Sequence, residues 1–183
     1  MSSNLTICQK NRNVLLVRVE LERNTTRAEA RVSIRAHLCD ALVNWLGVGS
    51  ETITFINLPG QAPRIMIDDL PEPGLSISHE AGLSLAAVNL QGPVGVDLVY
   101  VQEIPDWHLV ARDYLGPTTA SRLLATPAAV RPFAFAKAWC QHEALSKLNG
   151  QPLSEWKEHL DLAGNISRID LPMPWLGVLA LPR

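Results

Sequence analysis

The sequence predicts an α+β protein, and three observations carry that reading. Val14-Leu15-Leu16-Val17-Arg18-Val19-Glu20-Leu21-Glu22 passes from a solid apolar run into strict alternation, the pattern of a strand. Thr26 followed three residues later by Glu29 is a capping-box pattern, opening a helix that Gly47 closes. Three further strand-like runs, Leu75–Ser78, Leu83–Leu90 and Val94–Val101, follow one another with only Gly82 and Gln91-Gly92-Pro93 between them. Strands and helices are therefore grouped in blocks. They do not alternate as a parallel sheet requires.

Taken in order, the elements justify themselves locally. In the Thr26–Gly47 helix, Ile34, Leu38, Leu42 and Trp45 recur at helical spacing and lay an apolar stripe on a sheet. Glu51 to Ile56 alternates again, Pro59-Gly60-Gln61-Ala62-Pro63 is a turn, and Arg64 to Ile67 is a short strand. Asp68 to Gly74 is an acidic, proline-bearing connector. The three middle runs, joined by tight turns, predict an antiparallel meander. Trp107 to Leu124 is helical with an interruption at Gly116-Pro117, and a stronger helix follows Pro132 to Asn149, with Gly150 as its stop. Trp175-Leu176-Gly177-Val178-Leu179-Ala180-Leu181 closes the chain as a strand.

Composition excludes several function classes. The net charge of −2 and pI near 6.2 provide no global basic field for nucleic acid or an anionic membrane surface. Charge is unevenly placed, however: Trp107 to His142 holds Arg112, Arg122, Arg131 and Lys137 against the single acid Asp113. Such a basic stretch on an acidic protein suits an acidic partner, or is a solvated face. Cys8, Cys39 and Cys140 have no CxxC spacing, so neither a disulfide framework nor a zinc site is expected. No run reaches the length of a membrane span and no cationic-then-apolar leader stands at the amino terminus, so the expected location is the cytoplasm.

Three segments can carry chemistry. In Gly95-Val96-Asp97-Leu98, alternation puts Val94, Val96 and Leu98 on one strand face and Gly95, Asp97 and Val99 on the other. Asp97 thus projects away from the largest apolar residues, and Gly95 leaves room for a ligand or another backbone to approach. A lone strand aspartate also serves as a buried loop cap, so this position decides nothing by itself.

On the helix that follows Pro132, Trp139, Glu143 and Lys147 share one face at i, i+4, i+8. A Glu–Lys pair at that spacing decorates many surface helices and contributes only about 0.2–0.5 kcal/mol. Here it follows a tryptophan on the same face, and Ala134, Ala136, Ala138, Ala144, Leu145 and Leu148 surround it. A helix so packed leaves a charged pair in need of a partner. His79, beside Ser78 and before Gly82, fits a phosphate contact in a loop, against the structural role a lone histidine usually has. An acid from a strand, an acid from a helix and a lysine beside it make a Mg²⁺–phosphate site.

In this order, Ser-His (78–79), Gly-Val-Asp (95–97) and Trp-x-x-x-Glu-Ala-x-x-Lys-x-x-Gly (139–150) resemble the 4′-phosphopantetheinyl transferase superfamily. The Arg27–Gly47 helix, the Gly60–Ile65 turn and the closing strand fall in family order as well. The length resembles the larger, surfactin-synthetase-activating type more than the short, trimeric holo-acyl-carrier-protein synthases. The resemblance implies a monomer with a pseudo-dimeric fold of two similar α+β halves, residues 1–74 and 75–183, forming one compact unit. The second half would carry the metal and coenzyme A motifs.

The resemblance further implies transfer of the 4′-phosphopantetheine arm of coenzyme A to a serine of an apo acyl or peptidyl carrier protein, releasing 3′,5′-ADP. Asp97 and Glu143 would hold Mg²⁺ against the coenzyme A pyrophosphate, and Lys147 would neutralise a phosphate oxygen. Ser78 and His79 would contact the coenzyme's phosphates. Glu143, directly or through a metal-bound water, is the candidate base for the serine hydroxyl. Arg64 would replace a lysine absent from Gln61-Ala62-Pro63, and Arg31 and Arg35 are candidates for the 3′-phosphate. Carrier proteins are acidic around the modified serine, so Arg112, Arg122 and Arg131 become candidates for docking one.

Four departures stand beside the matches. Val99 occupies a position where larger members often carry a second acid, His142 replaces the usual lysine before the glutamate, the lysine before Pro63 is missing, and Glu80 adds a negative charge after His79. They define an alternative: a catalytically impaired relative that binds a carrier protein or coenzyme A without transfer.

Overall fold

The computed structural model describes residues 5–158 and 162–183, with side chains from position 12 onward. Strands β1 (Leu5–Asn11) and β2 (Val14–Glu20) form an antiparallel hairpin with Leu5 opposite Val19. The solid apolar run of β2 is explained by burial on both faces. Leu15, Val17 and Val19 pack in one core cluster, while Val14 and Leu16 pack in another.

Helix α1 (Arg27–Leu46) begins at the expected capping box: Glu29 N–H donates to Thr26 Oγ1 at 3.3 Å, and Thr26 N–H donates to Glu29 Oε2 at 2.8 Å. Gly47 ends it in the left-handed conformation at φ 68°, which a glycine adopts without strain. Ile34, Leu38 and Leu42 are fully buried against the first core. The hairpin β3 (Ile53–Ile56) and β4 (Arg64–Ile67) adds Ile53, Ile65 and Ile67 to the same cluster.

The middle strands depart from the expected meander. β5 (Gly74–Glu80) and β6 (Leu83–Asn89) are an antiparallel hairpin, but β6 also pairs with β2 along its other edge. No edge of β6 remains for a third strand. β7 (Gly95–Tyr100) therefore leaves for a second sheet. The first sheet runs β1-β2-β6-β5, and residues on both sides of position 74 build it.

After β7 come α2 (Trp107–Val110), a π-helical stretch Ala111–Leu115, and α3 (Gly116–Leu124), the interruption falling at the expected glycine. Helix α4 (Arg131–Leu148) follows, then β8 (Asn165–Ile169) and β9 (Trp175–Leu181). The second sheet is antiparallel in the order β7-β9-β8. β8 has no counterpart in the sequence reading: of its five residues only Ile169 is buried, so no apolar alternation announces it.

The result is layered as α1, first sheet, second sheet, α4. Val14, Leu16, Leu83, Leu85 and Ala87 meet Val96, Leu98 and Leu179 between the sheets. Every residue of β6 is buried because helix and sheet cover its two faces and strands its two edges. Cys39 is partly buried and Cys140 buried, both as free thiols; the side chain of Cys8 lies outside the described residues. No helix among the described residues is long and apolar enough to cross a membrane.

Candidate functional site

The site forms where α4 lies against β7, and Gly95 sets that distance. A methyl group on Gly95 would overlap the carbonyl oxygen of Ala144 and crowd the backbone nitrogen of Leu148. The space that glycine leaves is thus taken by another backbone, and the helix comes close enough for its side chains to meet those of the strand. The alternation of β7 is as expected: Val94, Val96 and Leu98 belong to the core between the sheets, and Val99 to the cluster under α4.

Asp97 is buried. Its Oδ1 accepts from Lys147 Nζ at 2.7 Å and from Ser78 Oγ at 2.9 Å. Lys147 Nζ also donates to the Val96 carbonyl at 3.0 Å, so two of its three N–H bonds are directed at β7. The lysine is therefore paired with the strand aspartate fifty positions away, not with Glu143 one turn back on its own helix. Glu143 Oε1 is buried with no hydrogen-bond partner among the described residues. Burial and the neighbouring Asp97 raise the Glu143 pKa above 4.5, against an opposing pull from Lys147. Two carboxylates and one ammonium in a shielded corner leave an unmet demand for positive charge.

Those groups open into a cavity of about 570 Å³. Its walls include Ser78, His79, Asp97, Glu143 and Lys147 on one side and Arg27, Arg31 and Arg35 on the other. Residues 57–61 after β3 also line it, together with Val99, Trp139 and the acidic Glu80. Trp139 is held in place by stacking on Phe135 and by an edge contact with Tyr114.

His79 Nδ1 shares a 2.7 Å hydrogen bond with Ser84 Oγ, which leaves Nε2 as the ring nitrogen for a ligand. Its pKa is lowered to about 4, first by burial and then by the positive charges of Arg31, Arg27, Lys147 and Arg35. The imidazole is neutral at pH 7. The cavity thus combines cationic walls with a carboxylate pair, an arrangement suited to a polyanion held together with a divalent cation.

The structure brings Asp97, Glu143, Lys147, Ser78, His79, Arg31 and Arg35 to one cavity. It does not bring Arg64 there: that guanidinium is exposed and makes a bidentate pair with Glu72, both contacts at 2.6 Å. Arg27 takes part in its stead. It extends the Arg31–Arg35 spacing by one more turn, so the i, i+4, i+8 stripe was the signal that would have found it. His142 faces a separate cavity of about 260 Å³ beside Arg122 and Trp156, and burial lowers its pKa.

The three arginines considered for docking have different surroundings. Arg131 donates to the Leu123 and Thr126 carbonyls and stacks over Trp107, tying the end of α3 to the start of α4. Arg112 pairs with Asp113 at 2.7 Å, and Arg122 is exposed. Cys140 is buried, and burial together with Asp97 pushes its thiol pKa up, so it stays protonated and is no nucleophile. Among the described residues, no three His, Cys, Asp or Glu side chains converge as a metal cage.

Comparison with known proteins adds a direction. No family model matches the chain. It is similar to the 4′-phosphopantetheinyl transferase HetI of Nostoc sp. strain PCC 7120, 28% identical over 126 residues, covering 68% of this chain and 53% of that protein. It is also similar to slr0495 of Synechocystis sp. strain PCC 6803, whose name assigns the same activity provisionally, at 22% identity over 123 residues, 67% of this chain and 50% of that protein. The chain spans about half the length of the curated relatives it matches.

Proposed function

We propose that this protein is a 4′-phosphopantetheinyl transferase. It moves the phosphopantetheine arm of coenzyme A to a serine of an apo acyl or peptidyl carrier protein and releases 3′,5′-ADP. The observation that carries the reading is the convergence of Asp97, Glu143 and Lys147 on a cavity walled by Arg27, Arg31 and Arg35. The similarity to two proteins bearing that name supports the same direction.

The residues fit a divalent cation: the orphaned Glu143 Oε1 and the Asp97 carboxylate are hard oxygen donors, and Mg²⁺ characteristically completes its shell with waters and substrate phosphates. When bound, the ion supplies charge neutralisation for the coenzyme's pyrophosphate. The remaining steps belong to the chain's own side chains. Arg27, Arg31 and Arg35 bind the phosphorylated nucleoside end, and neutral His79 offers Nε2 to a phosphate. Lys147 has a third N–H beyond its bonds to Asp97 and Val96, and it directs that donor at a pyrophosphate oxygen.

The carrier's serine oxygen forms a bond to the phosphorus that bears pantetheine, and the anhydride P–O bond to 3′,5′-ADP breaks. The serine proton passes to the Glu143 carboxylate. Catalysis here is positioning and charge neutralisation, as phosphoryl transfer requires.

Val99 favours the second reading, binding of a carrier or coenzyme A without transfer, because it leaves a single acid on that strand face. Release of 3′,5′-ADP from coenzyme A in the presence of apo carrier protein separates the two. The transferase releases it, and Glu143→Ala loses release while keeping carrier affinity. A binding protein releases none, and the substitution changes nothing but coenzyme affinity.

A further inference from the structure

We infer that Ser78 is a positioning residue for the metal-binding carboxylate and not a ligand of the substrate's phosphates; this rests on the transferase reading above. Ser78 lies on β5, its side chain buried, and its Oγ is 2.9 Å from Asp97 Oδ1. The Ser78 hydroxyl is the donor in this contact, so the serine spends its single O–H proton on Asp97. What remains on Oγ is lone-pair density, which repels a phosphate oxygen. Its neighbour His79 has no such commitment at Nε2 and, with Nδ1 accepting from Ser84 Oγ, offers an Nε2–H to a phosphate.

The bond has a structural logic of its own. β5 and β7 belong to different sheets and exchange no backbone ladder. They are joined instead by two serines on the same face of β5: Ser76 Oγ accepts from the Val96 N–H at 3.0 Å, and Ser78 Oγ donates to Asp97. The first bond fixes the backbone beside Asp97, and the second fixes its carboxylate. Lys147 approaches the same oxygen, Oδ1, from α4. Two donors from two elements on one oxygen set the plane of the carboxylate, and neither bond uses Oδ2. A carboxylate aimed in advance loses less freedom when it meets a cation.

Mn²⁺ titration followed by electron paramagnetic resonance, with coenzyme A affinity measured separately in EDTA, tests this on wild type, Ser78→Ala and Ser78→Thr. Urea midpoints verify that each variant is folded. The expected result is that Ser78→Ala weakens Mn²⁺ binding about tenfold, leaves coenzyme A binding in EDTA within about twofold, and is substantially rescued by the hydroxyl of Ser78→Thr. Mn²⁺ affinity unchanged in Ser78→Ala, with coenzyme A affinity in EDTA reduced instead, overturns the inference and makes Ser78 a phosphate ligand. Wild-type protein that binds neither Mn²⁺ nor coenzyme A overturns the transferase reading and this inference with it.

Discussion

Replacing Lys147 with methionine strands a buried charge, and the size of the loss follows from the geometry. The ammonium is 2.7 Å from Asp97 Oδ1, with the aspartate side chain 7% exposed and the lysine 30%. At an effective dielectric constant of about 20, two unit charges at that separation attract by about 6 kcal/mol. Desolvating both groups, and the lysine's partial access to water, cancel much of this, so Lys147→Met should cost about 2–4 kcal/mol. Methionine keeps most of the stem's volume, which confines the loss to the charge and its bonds to Asp97 and Val96. Such a loss is a large fraction of a typical domain's stability.

Asp97→Asn removes the stranded charge, so the double variant should be more stable than the sum of the two single losses implies. Urea unfolding followed by tryptophan fluorescence, on wild type and the three variants, measures the coupling. A cost for Lys147→Met below about 0.5 kcal/mol, unchanged in the Asp97→Asn background, would mean a solvent-screened pair and refute the preorganised site.

Further outcomes follow from other features of the site. Gly95→Ala drives a methyl group into the Ala144 carbonyl, so α4 must shift; thermal melts should show about 1–3 kcal/mol of destabilisation, with catalysis falling further than stability. His79, held near pKa 4 against an ordinary 6.5, is protonated in the unfolded chain before the folded one as pH falls. Its contribution is therefore complete above about pH 6.5 and is lost down to about pH 4, about 1–2 kcal/mol after solvent screening; His79→Gln should flatten that part of a urea-midpoint-versus-pH profile. Glu143, with a raised pKa, destabilises the fold increasingly as pH rises above 4.5, so Glu143→Gln should be more stable than wild type at pH 8 by denaturation while losing transfer. Arg31→Ala with Arg35→Ala should weaken coenzyme A binding about tenfold or more and reduce its salt dependence, as read by calorimetry at two ionic strengths.

What the sequence disclosed and what it hid divide along local and non-local physics. The α1 boundaries rest on a capping box and a left-handed glycine, both encoded within a few residues, and they were legible to the residue. The alternation of β7 was legible too, and it placed Asp97 on the face that meets α4. The partner of β7 was hidden, because pairing depends on which edges other strands leave free, and β2 had already taken the edge of β6. β8 was invisible because an edge strand with one buried residue needs no alternation.

The same division runs through the candidate site. The i, i+4 spacing of Glu143 and Lys147 reads as a pair on one helix, yet the nearer partner of the lysine is across the interface on β7. Ser78 next to His79 reads as a pair of phosphate contacts, and only the position of Asp97 reveals where the serine's one proton goes. Arg64 was expected to replace the lysine absent from Gln61-Ala62-Pro63, but Glu72 on the connector after β4 captures it.

The most direct test of the central claim is the intact mass of an apo acyl carrier protein after incubation with this protein, coenzyme A and Mg²⁺. The account predicts a gain of one phosphopantetheine arm, abolished by EDTA and by Glu143→Ala. No gain on carriers drawn from fatty acid, polyketide and nonribosomal peptide systems, with the protein folded, would contradict it.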